Sequence, residues 1–180
     1  MFPIKCTVFF STVTVLKNTI CYAEVITDNT LGSVVSLTNN DYQITAGQQY
    51  GENLFHSFNQ FSLSKGEIAT FSGPSNVSNI ISRVTGGTSS IINGTIRSTI
   101  ANANMYLLNP AGIIFKEGAK LDIGGSFHTS TADYLSLADG GNFYAIDSES
   151  SLLTVAPPSS FGFLDNPADI SIENSQIWRL

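Results

Sequence analysis

The feature that most constrains this chain is a succession of short apolar segments, each of which ends at Asn, Gly or Pro. Residues 33–37, 80–84 and 105–108 are typical examples. Segments of this length bounded by turn residues predict short β-strands, and no helical pattern lies between them to serve as a crossover. The sequence therefore predicts an all-β domain, in the form of a sandwich, a barrel or a β-solenoid.

One spacing favours the solenoid. The pattern Ile92-x-Gly94-x-Ile96 is followed about 20 residues later by Ile113-Ile114-Phe115, and that distance suits one coil. Inward side chains would then stack between coils, and the corners would take Gly and Asn, which tolerate left-handed backbone angles. The repeat is loose, so spacing alone leaves the sandwich and the barrel open.

Residues 1–23 have the pattern of a secretory signal peptide. Lys5 supplies a positive start, residues 6–16 form an uncharged and mostly apolar run, and Cys21 and Ala23 place small residues at the cleavage positions. We expect cleavage after Ala23. The apolar run is too short for a permanent membrane span, and the alternative interpretation is a buried N-terminal strand or helix.

Composition excludes several classes of protein. The hydrophobic fraction of 42% argues against disorder, and the net charge of −6 argues against a nucleic-acid partner or an anionic membrane. Both cysteines, Cys6 and Cys21, fall in the predicted signal peptide, so the mature chain is not a disulfide scaffold. Two separated histidines form a poor metal-binding set, and we expect no metal or other cofactor.

Several sequence blocks follow one another in a specific order. The block Asn53-Leu54-Phe55-His56-Ser57-Phe58 lies within residues 51–61, and the block Asn109-Pro110-Ala111-Gly112-Ile113 lies within residues 104–115. The other blocks are residues 28–45, 79–87, 90–96, 119–133 and 160–167. Together they resemble the N-terminal two-partner secretion domain of filamentous-haemagglutinin-like exoproteins. The family's NPNGI motif matches residues 109–113, with Ala111 in place of an Asn. Its NPNL motif is not found, and residues 53–58 resemble the branch that lacks it.

The resemblance implies a fold and a route. The fold is a right-handed parallel β-helix with N-terminal capping strands, in a domain spanning residues 24–180. The general export machinery would carry the chain to the periplasm, where an outer-membrane β-barrel transporter with POTRA domains would recognise it. The chain would cross unfolded, fold outside, and be secreted or held at the cell surface. Family exoproteins usually continue further, so we expect a solenoid truncated at its C-terminal end, with residues from about 159 onward frayed or prone to association.

Two other functions compete with this one. The first is a stand-alone surface adhesin, for which the sequence names no host or surface ligand. The second is a polysaccharide-active enzyme on a β-helix, which needs clustered acids for Ca²⁺ and a basic residue to abstract a proton. The basic residues of the mature chain are scattered and face no acidic cluster, so we predict that the protein is not an enzyme.

Each candidate site residue has a functional and a structural interpretation. Residues 109–113 form either a transporter-recognition segment or simply a β-turn in which Asn109 caps the turn into Pro110. His56 is either a catalytic base or, as we expect, a packed structural histidine, and His128 is expected on the surface. Ser57 and Ser126 lack the sequence context of a nucleophile.

The remaining candidates are carboxylates, asparagines and phenylalanines. Asp122 and Asp133 either pair as acid and base or, as we expect, lie on a solvated face or cap turns. Asn102, Asn104 and Asn109 either form stacked side-chain hydrogen bonds or lie in loops, and both possibilities stay open. The aromatic residues of the first block fit strand alternation poorly, and we expect them to cap or fill a core; they are Phe55, Phe58 and Phe61.

Overall fold

The computed structural model describes residues 24–174 and the backbone of residues 178 and 179, so the predicted signal peptide lies outside the described residues. The structure is built from strands, with one short 3-10 helix at Ser148–Ser150. The strands are β1 (Val25–Thr27), β2 (Ser33–Thr38), β3 (Asp41–Ala46), β4 (Gln48–Tyr50), β5 (Asn53–Phe61), β6 (Ile68–Phe71), β7 (Asn79–Val84), β8 (Ser90–Ile92), β9 (Thr95–Ser98), β10 (Asn104–Leu108), β11 (Ile113–Phe115), β12 (Lys120–Asp122), β13 (Phe127–Ser130), β14 (Tyr134–Leu137), β15 (Asn142–Tyr144), β16 (Pro158–Gly162), β17 (Ile170–Ile172) and β18 (Trp178–Arg179).

Three parallel sheets make the solenoid that the sequence predicted. The first face contains β5, β7, β10 and β13, the second contains β8, β11 and β17, and the third contains β6, β9, β12 and β18. Successive coils stack for about three turns. The spacing that favoured a solenoid is confirmed, because Ile92 of one coil pairs with Phe115 of the next.

The interior is filled by side chains stacked in register. On the first face Leu54, Ile80 and Met105 occupy equivalent positions in three successive strands, and all three are buried. On the third face Ala69 pairs with Ile96. Each coil therefore buries its apolar side chains mainly against its neighbours, as expected of a solenoid.

Strands at the N-terminal end cover the first coil, as predicted. β1 and β4 run antiparallel to β5, while β2 and β3 form a hairpin whose second strand runs parallel to β6. The hairpin turn contains Asn39 and Asn40 at φ angles of 50° and 63°. Asn adopts this left-handed region more readily than most residues, which explains the turn cluster seen in the sequence.

Residues 131–169, which we call the extension, leave the solenoid between β13 and β17. Their strands form an antiparallel sheet in the order β15-β14-β16. Leu135 and Phe143 of this sheet pack in one cluster with Phe55 and Ile81 of the first face. On the first face, β7 and residues 53–58 of β5 are therefore buried on both sides, and the sequence did not predict this second layer.

The irregular aromatic pattern of β5 has a geometric cause. Thr27 of β1 pairs with Phe58, but the preceding Ile26 pairs with Gln60, so Asn59 is an extra residue in the strand. A bulge of this kind shifts the side-chain alternation by one position. Phe58 and Phe61 consequently belong to the same interior cluster, and the expectation that they fill a core is confirmed.

Close backbone approach explains glycine at the coil corners. A Cβ added at Gly94 would lie 2.3 Å from the carbonyl oxygen of Glu67 in the preceding coil, and one at Gly118 would lie 2.5 Å from that of Asn93. These distances are too short for any side chain. The corners can stack directly because these two residues lack one.

The tail contributes two strands rather than one alternating segment. β17 pairs with β11 and β18 pairs with β12, so the last coil continues the second and third faces. Ile170 and Ile172 are exposed. The predicted fraying of this region stays a prediction. Among the residues that the structure describes, there is no helix long and apolar enough to cross a membrane.

Candidate functional site: a coil corner and the strands beside it

The segment 109–113 forms the corner between the first and second faces. The Oδ1 atom of Asn109 accepts a hydrogen bond from the backbone N–H of Ala111 at 3.0 Å, and its carbonyl accepts one from Gly112 at 3.1 Å. Gly112 has φ of +113°, a region that favours glycine. Asn109 therefore caps this turn in the way that the sequence predicted.

Asn109 also joins the corner to neighbouring coils. Its Nδ2 donates to the carbonyl of Thr88 at 3.0 Å and to Ser90 Oγ at 2.9 Å, both in the preceding coil. Its backbone N–H donates to the carbonyl of Ser130 in the following coil at 3.0 Å. Asn109 thus connects the corner to the preceding coil through its side chain and to the following coil through its backbone.

Little of this motif is accessible in the folded protein. Asn109, Gly112 and Ile113 are buried, and Ile113 belongs to the interior cluster. Pro110 and Ala111 are half-buried. A partner that contacts the folded corner would therefore reach mainly two of the five residues.

The block 53–58 occupies the first half of β5, and all of its residues are buried. Leu54 and Phe58 face the interior cluster, while Phe55 faces the extension, where its ring centroid lies 5.1 Å from that of Phe143. The block therefore contributes to both cores. In the sequence, the family resemblance identified this block, whereas strand periodicity did not.

Three asparagines at the start of the first-face strands form a ladder. Asn79 Nδ2 donates to Asn53 Oδ1 at 2.9 Å, and Asn104 Nδ2 donates to Asn79 Oδ1 at 3.3 Å. The stacked interpretation is therefore confirmed for Asn104. Asn102 instead occupies a turn with φ of 59°, and Asn109 makes the corner contacts described above.

His56 is a structural histidine inside the N-terminal end of the solenoid. It is fully buried, its ring centroid lies 5.5 Å from that of Phe71, and its Nδ1 lies 3.0 Å from Ser33 Oγ. Burial lowers the pKa of His56 to about 4, so the ring is neutral at physiological pH. Its Nε2 has no hydrogen-bond partner among the described residues. The arrangement agrees with the packed role expected from the sequence.

Ser57 belongs to a buried polar network. Its hydroxyl donates to Asp28 Oδ2 at 2.5 Å and accepts from Arg83 Nε at 2.7 Å. Asp28 also accepts hydrogen bonds from Thr30 and Thr85. These hydrogen bonds lower the pKa of the Asp28 carboxyl despite an opposing contribution from burial. The network connects the N-terminal cap to the first two coils.

Arg83 is the residue that sequence reasoning missed. It is about 1% exposed, and its Nη1 donates to the carbonyl of Tyr144 at 2.6 Å and to Ser151 Oγ at 2.7 Å. Its guanidinium carbon lies 4.6 Å from the ring centroid of Phe143. Burial lowers the pKa of Arg83 to about 10, partly offset by Asp28, so the group is charged at neutral pH.

A sequence signal for Arg83 did exist. It is the one charged residue in β7, whose six residues are all buried. Arginine is almost never fully buried unless its donors are satisfied, so an arginine within such a strand indicates a buried network.

The other candidate catalytic groups are not brought together. Asp122 forms a partly exposed ion pair with Arg97 at 2.7 Å, whereas Asp133 accepts hydrogen bonds from the backbone N–H groups of Leu164 and Asp165. The turn-cap interpretation is confirmed for Asp133. His128 is exposed, as expected, and stacks on Tyr106. Within residues 24–174 there is no cluster of three or more potential metal ligands.

Comparison with known proteins agrees with this architecture. A family model described as a TPS secretion domain matches residues 23–177. The chain is 34% identical over 85 residues to a heme/hemopexin-binding protein from Haemophilus influenzae. The aligned stretch covers 47% of this chain and only 9% of that relative, so this chain corresponds to a small part of it.

Proposed function

This chain belongs to the family of TPS secretion domains, and we propose that it directs an exoprotein to a partner transporter in the outer membrane. The family match over residues 23–177 is the observation that carries the proposal. As a two-partner secretion exoprotein, the protein is exported across the outer membrane. The binding activity in the relative's name belongs to that much longer protein, and we do not propose it for this chain.

The proposed route begins with the general export machinery and removal of residues 1–23 after Ala23. The transporter, through periplasmic POTRA domains, then binds the chain before it folds. The sequence suits an unfolded intermediate, because both cysteines lie in the predicted signal peptide. No disulfide can therefore lock residues 24–180 into a compact form in the oxidising periplasm.

The corner motif has two roles in this proposal. The buried state of Asn109, Gly112 and Ile113 supports recognition before folding, because a transporter can contact these residues only in the unfolded chain. After export the same residues close the corner, and Asn109 binds the neighbouring coils. Folding on the far side removes the segment from the transporter and so opposes its return.

Binding measurements on unfolded and folded chain test the proposal. Residues 24–180 held unfolded should bind the isolated periplasmic domains of the partner transporter, and the folded protein should bind at least tenfold more weakly. Equal binding by the two forms would argue against recognition before folding. A peptide of residues 104–115 with Asn109→Ala should bind more weakly than the wild-type peptide, whereas equal binding would confine Asn109 to folding.

A further inference from the structure

Polar contacts connect the extension to coils that lie far earlier in the sequence. Arg83 donates to Tyr144 and Ser151, and Asn53 Nδ2 donates to the carbonyl oxygens of Thr154 at 3.1 Å and Ala156 at 2.7 Å. Each of these hydrogen bonds connects two residues that are separated by at least 61 and at most 103 positions in the sequence. The first and second coils therefore contain polar groups whose acceptors are supplied much later in the chain.

Arg83 makes the early coils dependent on those acceptors. With the extension in place, the guanidinium of Arg83 is buried. Its terminal nitrogens donate to two carbonyl oxygens and two hydroxyl oxygens, and its central carbon lies over the ring of Phe143. Without the extension, the partners within the solenoid and cap are Ser57 and Thr30. Without the extension, Arg83 would lie on the open outer side of β7, and β7 would lack the hydrogen bonds and the ring contact that the extension supplies.

Apolar side chains on the outer side of the first face also depend on the extension. Phe55, Ile81 and Leu108, from three successive strands, point away from the solenoid interior and are fully buried in the cluster that includes Leu135 and Phe143. Without the extension, these side chains would face water across the outer side of the first face. Until the extension covers them, β5, β7 and β10 lack the stabilisation that burial of this apolar surface provides.

We propose that the extension is a folding latch. The strands β5, β7 and β10 reach their native stability only when residues 143–156 close over Arg83 and Asn53. The early coils therefore do not fold one after another, although solenoid architecture in general permits such propagation. A chain delivered from its N-terminus keeps its first coils unfolded until the extension follows. The inference concerns folding alone and holds whether or not the chain is exported.

Hydrogen exchange on full-length protein under native conditions tests the latch. Ser151→Ala removes one hydroxyl that accepts from Arg83 Nη1 and from the backbone N–H of Tyr144, and it replaces no residue of the solenoid strands. We expect amide exchange in β5 and β7 to become about tenfold faster, by the same factor as in β14, because the two regions open together. Ser159→Ala is the matched control, because the Ser159 hydroxyl contacts only the carbonyl of Ser136 within the extension. The control should change exchange in the first face by less than twofold.

Phe143→Leu provides a second, independent variant. It reduces contact with Phe55 and Arg83 while keeping an apolar side chain. Amide exchange in β5, β7 and β14 should again become faster by a common factor. Faster exchange confined to the extension in both variants would show that the first face is stable by itself, and it would overturn the latch. First-face exchange that is unchanged in both variants would overturn it equally.

Discussion

Asn109 Nδ2 donates to Ser90 Oγ of the preceding coil at 2.9 Å in a buried environment. The same Asn109 side chain caps its own turn through Oδ1. One amide therefore both shapes the corner and fixes its position on the coil beneath. This relationship predicts that the motif has a measurable effect on stability that is independent of any transporter.

Asn109→Ala should lower the free energy of unfolding by about 3 kcal/mol, because it removes a buried hydrogen bond to Ser90 and two partly buried ones with Thr88 and Ala111. Chemical denaturation of residues 24–180 measures the change. Asn76→Ala is a suitable control, since Asn76 is exposed and accepts one hydrogen bond from exposed Gln49. The control substitution should lower the free energy of unfolding by less than about 0.5 kcal/mol. Similar losses in the two variants would contradict the structural role of Asn109.

Arg83→Lys should lower the free energy of unfolding by about 3 kcal/mol, although the charge is kept. A lysine ammonium cannot reproduce the planar fork that donates to Ser57, Tyr144 and Ser151 at once. Arg97→Lys is the matched control, since the Arg97 ion pair with Asp122 is partly exposed, and it should cost less than about 0.5 kcal/mol. Denaturation curves of both variants that overlay the wild type would refute the importance of the buried network.

His56 predicts a specific dependence of stability on pH. Its pKa is about 4 in the folded protein and near 6.5 in the unfolded chain, so between these values only the unfolded chain binds the proton. Stability should therefore fall as pH decreases from 6.5 towards 4, by up to about 3 kcal/mol over the whole window. Urea unfolding from about pH 7 to about pH 4.5 measures the slope.

His56→Leu is the control for this slope, because it removes the titrating group and keeps the carboxylates that both proteins share. The variant loses the contact with Ser33, so its absolute stability differs, but its stability should fall less steeply over the same window. The carboxyl of Asp28, whose pKa is lowered below 3.8, affects stability at more acidic pH and does not produce this slope. Parallel pH profiles for wild type and variant would rule out the assignment to His56.

Local sequence signals predicted much of the solenoid. Residues 33–37, 80–84 and 105–108 lie within β2, β7 and β10, because short apolar segments between Gly, Asn and Pro have few alternatives. The stacking of Ile92 on Phe115 followed from spacing. The corner at Asn109 followed from the preference of Asn and Pro for turns.

The extension and the Arg83 network could not be predicted in the same way. Phe55 and Phe58 point to different cores, and the bulge at Asn59 breaks the alternation that would have marked β5 as a strand. Two partners of Arg83, Tyr144 and Ser151, lie 61 and 68 positions away in the extension, which packs on the outside of the solenoid. Periodicity within one segment carries no information about such distant packing.

Secretion of a reporter fused after residue 180 tests the proposed function most directly. Cells that produce the fusion together with the partner transporter should release the reporter into the medium, and cells without the transporter should retain it. Asn109→Ala should reduce release, while Asn76→Ala should leave it unchanged. Equal release with and without the transporter would contradict the account and would favour a protein that reaches the surface by another route.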